Sequence, residues 1–324
     1  MKTATNLIRR TALIRRTALI RRTARILTAG LIGLLPAFAT STQAQAQAQS
    51  MSMADLNVRL GVPYTQAATE NGPMTLALDF YAPKGACTVQ RPTMVMIHGG
   101  GFKTGDRNSR RWKEFAVSFG EQGWNSISLS YRLVKDEPVI HPVLMQSIPD
   151  GLQGEDRAQA IAGAGAIETT LQAIQFINQS AGQACIDPDN VFLIGSSAGG
   201  VTALNTTFMV DEIGRGTPPV AGVVNFWGSL SDVDTMGQND TPVFVVHGTA
   251  DRTVLYSKSE DLYARGQATN TSVQLHGFQG RGHSWSAIKA YEDSINGRPI
   301  VDVMIDWIGE VIDDRRPATL QTMN

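Results

Sequence analysis

The stretch 192-FLIGSSAGG-200 decides how this chain folds. Val191–Ile194 is a short apolar run bounded by Gly195, and it reads as a buried strand. The residues after it fit G-x-S-x-G, as Gly195-Ser196-Ser197-Ala198-Gly199. Between a strand and a helix, this pattern puts the middle serine on a sharp turn with strained backbone angles. Small residues are needed on either side because a larger side chain would collide with the strand or the helix. The turn lifts the Ser197 hydroxyl clear of a sheet. It also sets the next N–H groups at a helix N-terminus, where negative charge is favoured. A Gly/Ser-rich loop looks the same over so short a window, so the rest of the chain has to supply the context.

That context is alternation. Strand-like apolar runs recur at Leu76–Tyr81, Thr93–Ile97, Asn125–Tyr131, Val220–Phe226, Val243–Val246 and Val273–Leu275. Helical patterns fall at Trp112–Gln122, Ile167–Gln179, Ala198–Val210, Ser257–Gln267 and Ile300–Asp313. Strands alternating with helices predict an α/β domain with a mostly parallel central sheet and helices on both faces. In such sheets sites form at the carboxyl ends of the strands. The segment Leu133–Ala166, with three prolines and AGAGA at 162–166, reads as an irregular insertion beside that edge.

A serine hydroxyl needs a base to take its proton and a third group to orient the base. Of the five histidines, His98 and His247 close strands, and His276 falls at the end of a strand pattern. His283 sits in the loop Gly280-Arg-Gly-His-Ser-Trp after the last strand, where it can swing over the sheet edge. His283 is the expected base, with His276 the alternative. The turn HGTADRTV after Val243–Val246 offers Asp251 as the orienting carboxylate, ahead of Asp232 and Asp234. Residues 98–102 read HGGGF directly after an apolar strand. Glycines there can present N–H groups to an oxyanion without a side chain in the way, so Gly100 and Gly101, joined by Ala198, are the expected donors. The same stretch lacks the G-K-[ST] of a phosphate loop. Phe102, Trp227 and Trp285 adjoin these motifs and are candidates for lining an apolar pocket.

The chain has 324 residues, 42% hydrophobic and 18% charged, enough for one large core. Its first fifty residues hold Lys2, seven arginines and no acidic side chain. RRTALI occurs twice and RRTARI follows, a six-residue period that suits neither helix nor strand. The apolar stretch Ile26–Ala39, too short to span a bilayer comfortably, leads to Ala-x-Ala sites and a QAQAQAQ spacer. This predicts a signal peptide and spacer over 1–46, cut at Ala39 or within 44–48, and one catalytic domain over 47–324. Without the leader, 20 Lys+Arg would face 29 Asp+Glu, a net charge near −9. That disfavours nucleic acid and anionic membranes as partners. In an oxidising compartment Cys87 and Cys185 are expected to pair, because each lies just before a strand start at the sheet edge away from Ser197.

Taken in order, VPYTQ (62–66), LALDFYAP (76–83), MIHGGGFKTGD (96–106), SISLSYRL (126–133), IDPDNVFLIGSSAGG (186–200), HGTADRTV (247–254) and GRGHSW (280–285) resemble the α/β-hydrolase superfamily. Within it, the chain is similar to the HGGG-bearing carboxylesterases and lipases, including feruloyl- and acetyl-xylan-esterase-like members. The resemblance implies the α/β-hydrolase fold, Ser197 as nucleophile, Asp251 and His283 as its relay and the HGGG turn as oxyanion hole. It also supports the Cys87–Cys185 pairing. The expected function is an exported serine esterase acting on short or medium acyl esters, small or polymer-linked, with no metal or organic cofactor. The alternatives are a peptidase or amidase of the same mechanism and a catalytically silent binding protein of the same fold.

Overall fold

A computed structural model describes residues 51–209, 220–283 and 289–315, which belong to one compact unit. The expected leader, Val210 and the pocket candidate Trp285 lie outside the described residues.

The central sheet has eight strands: β1 (Leu56–Ala67), β2 (Met74–Pro83), β3 (Arg91–Ile97), β4 (Asn125–Leu129), β5 (Ile186–Ser196), β6 (Gly222–Phe226), β7 (Val243–Gly248) and β8 (Val273–Phe278). Their spatial order is β1-β2-β4-β3-β5-β6-β7-β8. β1 and β2 are antiparallel, as are β2 and β4, and every pair from β4 onward is parallel. The helices are α1 (Arg110–Glu121), α2 (Pro142–Met145), α3 (Gly154–Gln179), α4 (Ala181–Ala184), α5 (Ala198–Phe208), α6 (Ser257–Thr269), α7 (Lys289–Glu292) and α8 (Ile300–Arg315). A separate ribbon pairs β9 (Ser294–Ile295) with β10 (Arg298–Pro299). The α/β architecture expected from the alternation is the one observed.

The parallel strands are buried on both faces, which is why they read as unbroken apolar runs. In β5, Val191 and Leu193 face a core shared with α3, α5 and α6, while Phe192 and Ile194 face the opposite core under α1 and α8. α1 meets its core with Trp112, Phe115, Ala116 and Phe119, spaced for one helical face. Ser109 caps it by accepting from the Trp112 N–H at 3.3 Å. α8 covers the same face with Val301, Met304, Trp307, Ile308 and Ile312.

Two stretches differ from expectation. β1 is a long strand that periodicity missed. It is an antiparallel edge, exposed along most of one face, with register shifts at Arg59/Val62 and Pro63/Thr65. Alternation is weak where nothing covers a face, and proline is tolerated at an edge. The second is the insertion 133–166: its last part, from Gly154, is the start of α3. The glycines of AGAGA, poor helix formers, hid it. Close packing explains them: a Cβ on Gly163 would come to 3.3 Å from the Phe102 ring, and one on Gly165 to 3.2 Å from Pro138. Tertiary contact outweighs propensity here. Arg132 ties the same insertion down from inside the core, donating to the carbonyls of Ala68 (2.8 Å) and Val139 (2.7 Å) and to Glu168 Oε2 (2.6 Å).

A disulfide joins Cys87 and Cys185. Cys185 immediately precedes β5 and Cys87 lies just before β3, so the bridge sits at the amino ends of two paired parallel strands. The Ser197 turn is at the other end of β5.

Candidate active site

The site is assembled from the carboxyl ends of β3, β5, β7 and β8, which the parallel register brings to one edge. At the end of β5 the chain turns directly into α5. Ser197 occupies the turn with φ 54 and ψ −122, a conformation rare for a residue with a Cβ. Glycine is required on both sides: a Cβ on Gly195 would strike the Gly199 carbonyl, and one on Gly199 would strike the carbonyl of Ile97 in the neighbouring strand. This close approach of α5 to β3 holds the serine up at the sheet edge.

Ser197 Oγ lies 2.8 Å from His283 Nε2, and His283 Nδ1 lies 2.8 Å from Asp251 Oδ2. The three side chains thus form one hydrogen-bond chain. Asp251 is fully buried, whereas the His283 side chain is 22% exposed. The two carboxylate oxygens of Asp251 have separate partners. Oδ1 accepts from the amides of Thr253 (2.8 Å) and Val254 (3.0 Å), closing a tight turn. Oδ2 faces His283 and, at 3.1 Å, His247 Nε2. Burial pushes the Asp251 carboxyl up, but the hydrogen bonds from His283 and the two amides outweigh it and hold the group below the usual carboxylate range. The competing candidates stay apart. His276 remains in β8, paired with Val246, its ring against Phe244. Asp232 caps the turn at Val233–Thr235, and Asp234 pairs with Arg265.

Ser197 and His283 open into a cavity of about 590 Å³ whose walls include Gly100, Gly101, Arg111, Trp112 and Trp227. Gly100 and Gly101 both have positive φ, 118 and 60, and a Cβ on Gly100 would collide with Thr104. The amides of Gly100, Gly101 and Ala198 donate to no other backbone carbonyl among the described residues. The turn is braced from below: Tyr131 Oη donates to the His98 carbonyl at 2.7 Å, and the two rings stack with centroids 4.2 Å apart. Nothing in the sequence pattern marked Tyr131 for this role.

The aromatic candidates divide. Trp227 lines the Ser197 cavity. Phe102 lines a neighbouring hollow of about 390 Å³, with Ile148, Ile167, Val201 and Met209. Both residues have positive φ, 60 for Phe102 and 46 for Trp227, so their side chains leave the chain in directions a regular strand end would not give. Groups of three or more His, Cys, Asp or Glu side chains able to hold a metal ion are absent among the described residues.

A family model described as Phospholipase/Carboxylesterase matches residues 154–290, and a second, described as BD-FAE, matches residues 78–149. Together these matches support an α/β-hydrolase carboxylesterase family for this chain. Among curated members of that family, a probable carboxylesterase SOBER1-like of Arabidopsis thaliana is 28% identical over 101 residues, covering 31% of this chain and 38% of the relative. The match spans under half the length of each curated relative. Solved esterases share the fold over nearly their whole length. Thermogutta terrifontis esterase 2 phosphoramylated by tabun has a TM-score of 0.60 at 18% identity, covering 80% of this chain and 96% of that one. The propionate-bound form of the same Thermogutta terrifontis esterase gives 0.59 at 18% identity, covering 80% and 95%.

Burial pulls three histidines of this carboxylesterase fold below the ordinary imidazole range: His98, His247 and His276. The unfolded chain then takes up protons near pH 6.5 that the folded chain refuses, so stability rises with pH below that value. Thermal unfolding followed by circular dichroism should show Tm falling by about 3–6 °C between pH 7 and pH 5. Asp251, whose pKa is depressed, adds its loss only below about pH 4. A Tm that is flat or rises over this acid range would contradict the burial of these imidazoles.

Proposed function

We propose that this chain is an exported serine esterase whose Ser197, His283 and Asp251 act as a catalytic triad. The observation that carries the reading is the unbroken Ser197–His283–Asp251 hydrogen-bond chain, 2.8 Å at each step, in a cavity walled by the glycines of HGGGF. Ser197 Oγ–H donates to His283 Nε2, which takes the proton as the oxygen attacks the ester carbonyl. His283 Nδ1–H donates to Asp251, which stabilises the imidazolium formed. The tetrahedral oxyanion is received by the amides of Gly100, Gly101 and Ala198, each worth about 10²–10³ in rate where such donors are removed. His283 then gives its proton to the leaving alcohol, and the acyl-enzyme is hydrolysed by a water that the same imidazole deprotonates.

A cavity of about 590 Å³ with Trp112 and Trp227 in its wall suits a short or medium acyl chain. The propionate held by the Thermogutta terrifontis esterase supports the same size class. Export is supported by the basic, then apolar, then Ala-x-Ala leader and by the Cys87–Cys185 disulfide. Among the described residues no helix is long and apolar enough to cross a membrane.

The test is a rate panel of p-nitrophenyl esters from acetate to laurate, with acetylated sugars, feruloyl esters, polyesters and an aminoacyl-nitroanilide alongside. Turnover highest for acetate to hexanoate, with the anilide untouched, is the expected result. Cleavage of the anilide in preference to every ester would move the chain to the amidases.

A further inference from the structure

His247 closes β7 and is completely buried, yet the triad chemistry leaves it without a part. We propose that His247 is a positioning residue for the Ser197–His283–Asp251 relay: a neutral imidazole whose Nε2–H donates to Asp251 Oδ2, the same oxygen that receives His283. This rests on the esterase reading and adds a fourth side chain to it.

The hydrogen bonds assign the tautomer. His247 Nε2 faces two oxygens, Asp251 Oδ2 at 3.1 Å and the Val254 carbonyl at 2.9 Å. At neutral pH neither oxygen carries a proton, so the ring nitrogen must supply one. On the other side, Nδ1 lies 2.7 Å from Ser259 Oγ, on the first turn of α6. A hydroxyl can donate there, which leaves Nδ1 as acceptor and the ring uncharged. Full burial opposes the doubly protonated ring. The titratable groups that face His247 are Asp251, from the turn after its own strand; His283, across that carboxylate; and Tyr256, whose ring meets the imidazole edge-on at 5.6 Å.

The arrangement does two things for the relay. The turn amides hold Oδ1 and His247 holds Oδ2 from the side opposite His283, so the carboxylate cannot rotate away from its catalytic partner. A second donor on Oδ2 also takes up part of the carboxylate's charge. The field that Asp251 exerts on the imidazole it orients therefore depends on His247 as well. A buried donor of this kind outside the reacting groups is what sequence reading overlooks: HG at 247–248 simply ends a strand.

The test compares His247→Asn with His247→Gln. The shorter amide keeps a partner for Ser259 but falls short of Asp251, whereas the Gln amide carries an N–H close to the position of Nε2. For His247→Asn, kcat on p-nitrophenyl butyrate should fall about 10- to 50-fold with KM within about twofold. Its acid limb of kcat/KM should move up by about half a pH unit or more. His247→Gln should stay within about threefold of the parent in kcat. An Asn variant with parental kcat and an unmoved acid limb, or equal losses in both variants, overturns the proposal. Should either variant fail to melt cooperatively, ¹⁵N–¹H spectra of the unmodified protein decide: an Nε2–H tautomer at His247 is required, and an Nδ1–H tautomer or an imidazolium refutes it. Ser197→Ala run alongside separates the readings, because a fully active Ser197→Ala removes the triad reading while the tautomer result for His247 stands by itself.

Discussion

Alanine in place of Ser197 is expected to lower kcat/KM for p-nitrophenyl butyrate by about 10⁴- to 10⁶-fold and to abolish covalent labelling by a fluorophosphonate. In the proposed mechanism the hydroxyl is the atom that bonds to the acyl carbon, and the adjacent serine is not placed to substitute for it: Ser196 is buried in the end of β5, 3% exposed. The residual rate should still exceed that in water, since the amides of Gly100, Gly101 and Ala198 remain to receive the oxyanion. Folding should be intact, because alanine keeps the Cβ already accommodated at φ 54. Stopped-flow or plate assays beside a Tm measurement check both halves. A folded Ser197→Ala that keeps its esterase activity would show that the nucleophile is elsewhere.

The second large effect concerns stability. Reduction of the Cys87–Cys185 bridge, or the double change Cys87→Ser/Cys185→Ser, is expected to cost about 3–5 kcal/mol. The bridged residues are 98 apart in sequence, so the cross-link removes much of the freedom of the unfolded chain. At this size that corresponds to a drop in Tm of about 8–15 °C. The bridge lies at the amino ends of β3 and β5, and the HGGG turn and Ser197 hang on their carboxyl ends. Reduced protein should therefore keep its kcat at 25 °C while melting early. Calorimetry with and without dithiothreitol tests this, and an unchanged Tm would remove the bridge from the stability of the fold.

The parts of the molecule legible in its sequence are those dictated by local sterics or by burial on two sides. Gly195 had to be glycine because α5 turns back against the end of β5, and Gly199 because α5 passes so close to β3, and that necessity is written in the motif itself. The parallel strands announce themselves because both faces are covered. The turns carrying Asp251 and His283 were legible because each follows such a strand. What escaped depends on partners distant in the chain. β1 has little apolar alternation because one face meets solvent. The first turns of α3 were masked by Gly163 and Gly165, whose reasons are Phe102 and Pro138. Tyr131 beneath His98, and His247 beside Asp251, become visible only once the strands are laid in register. Phe102 and Trp227, each at positive φ, line different cavities, which no composition reveals.

The same register has a consequence for how activity relates to folding. Ser197, Asp251, His283 and the HGGG turn hang from β3, β5, β7 and β8, so the proposed site has no local precursor: a hairpin, a half-sheet or a nascent chain released before residue 283 holds only scattered pieces of it. With the proposed triad, ester turnover is an all-or-none gauge of the finished sheet. During denaturant titration its loss should track the global transition rather than precede it, and during biosynthesis the chain stays chemically silent until its last parallel strand has docked.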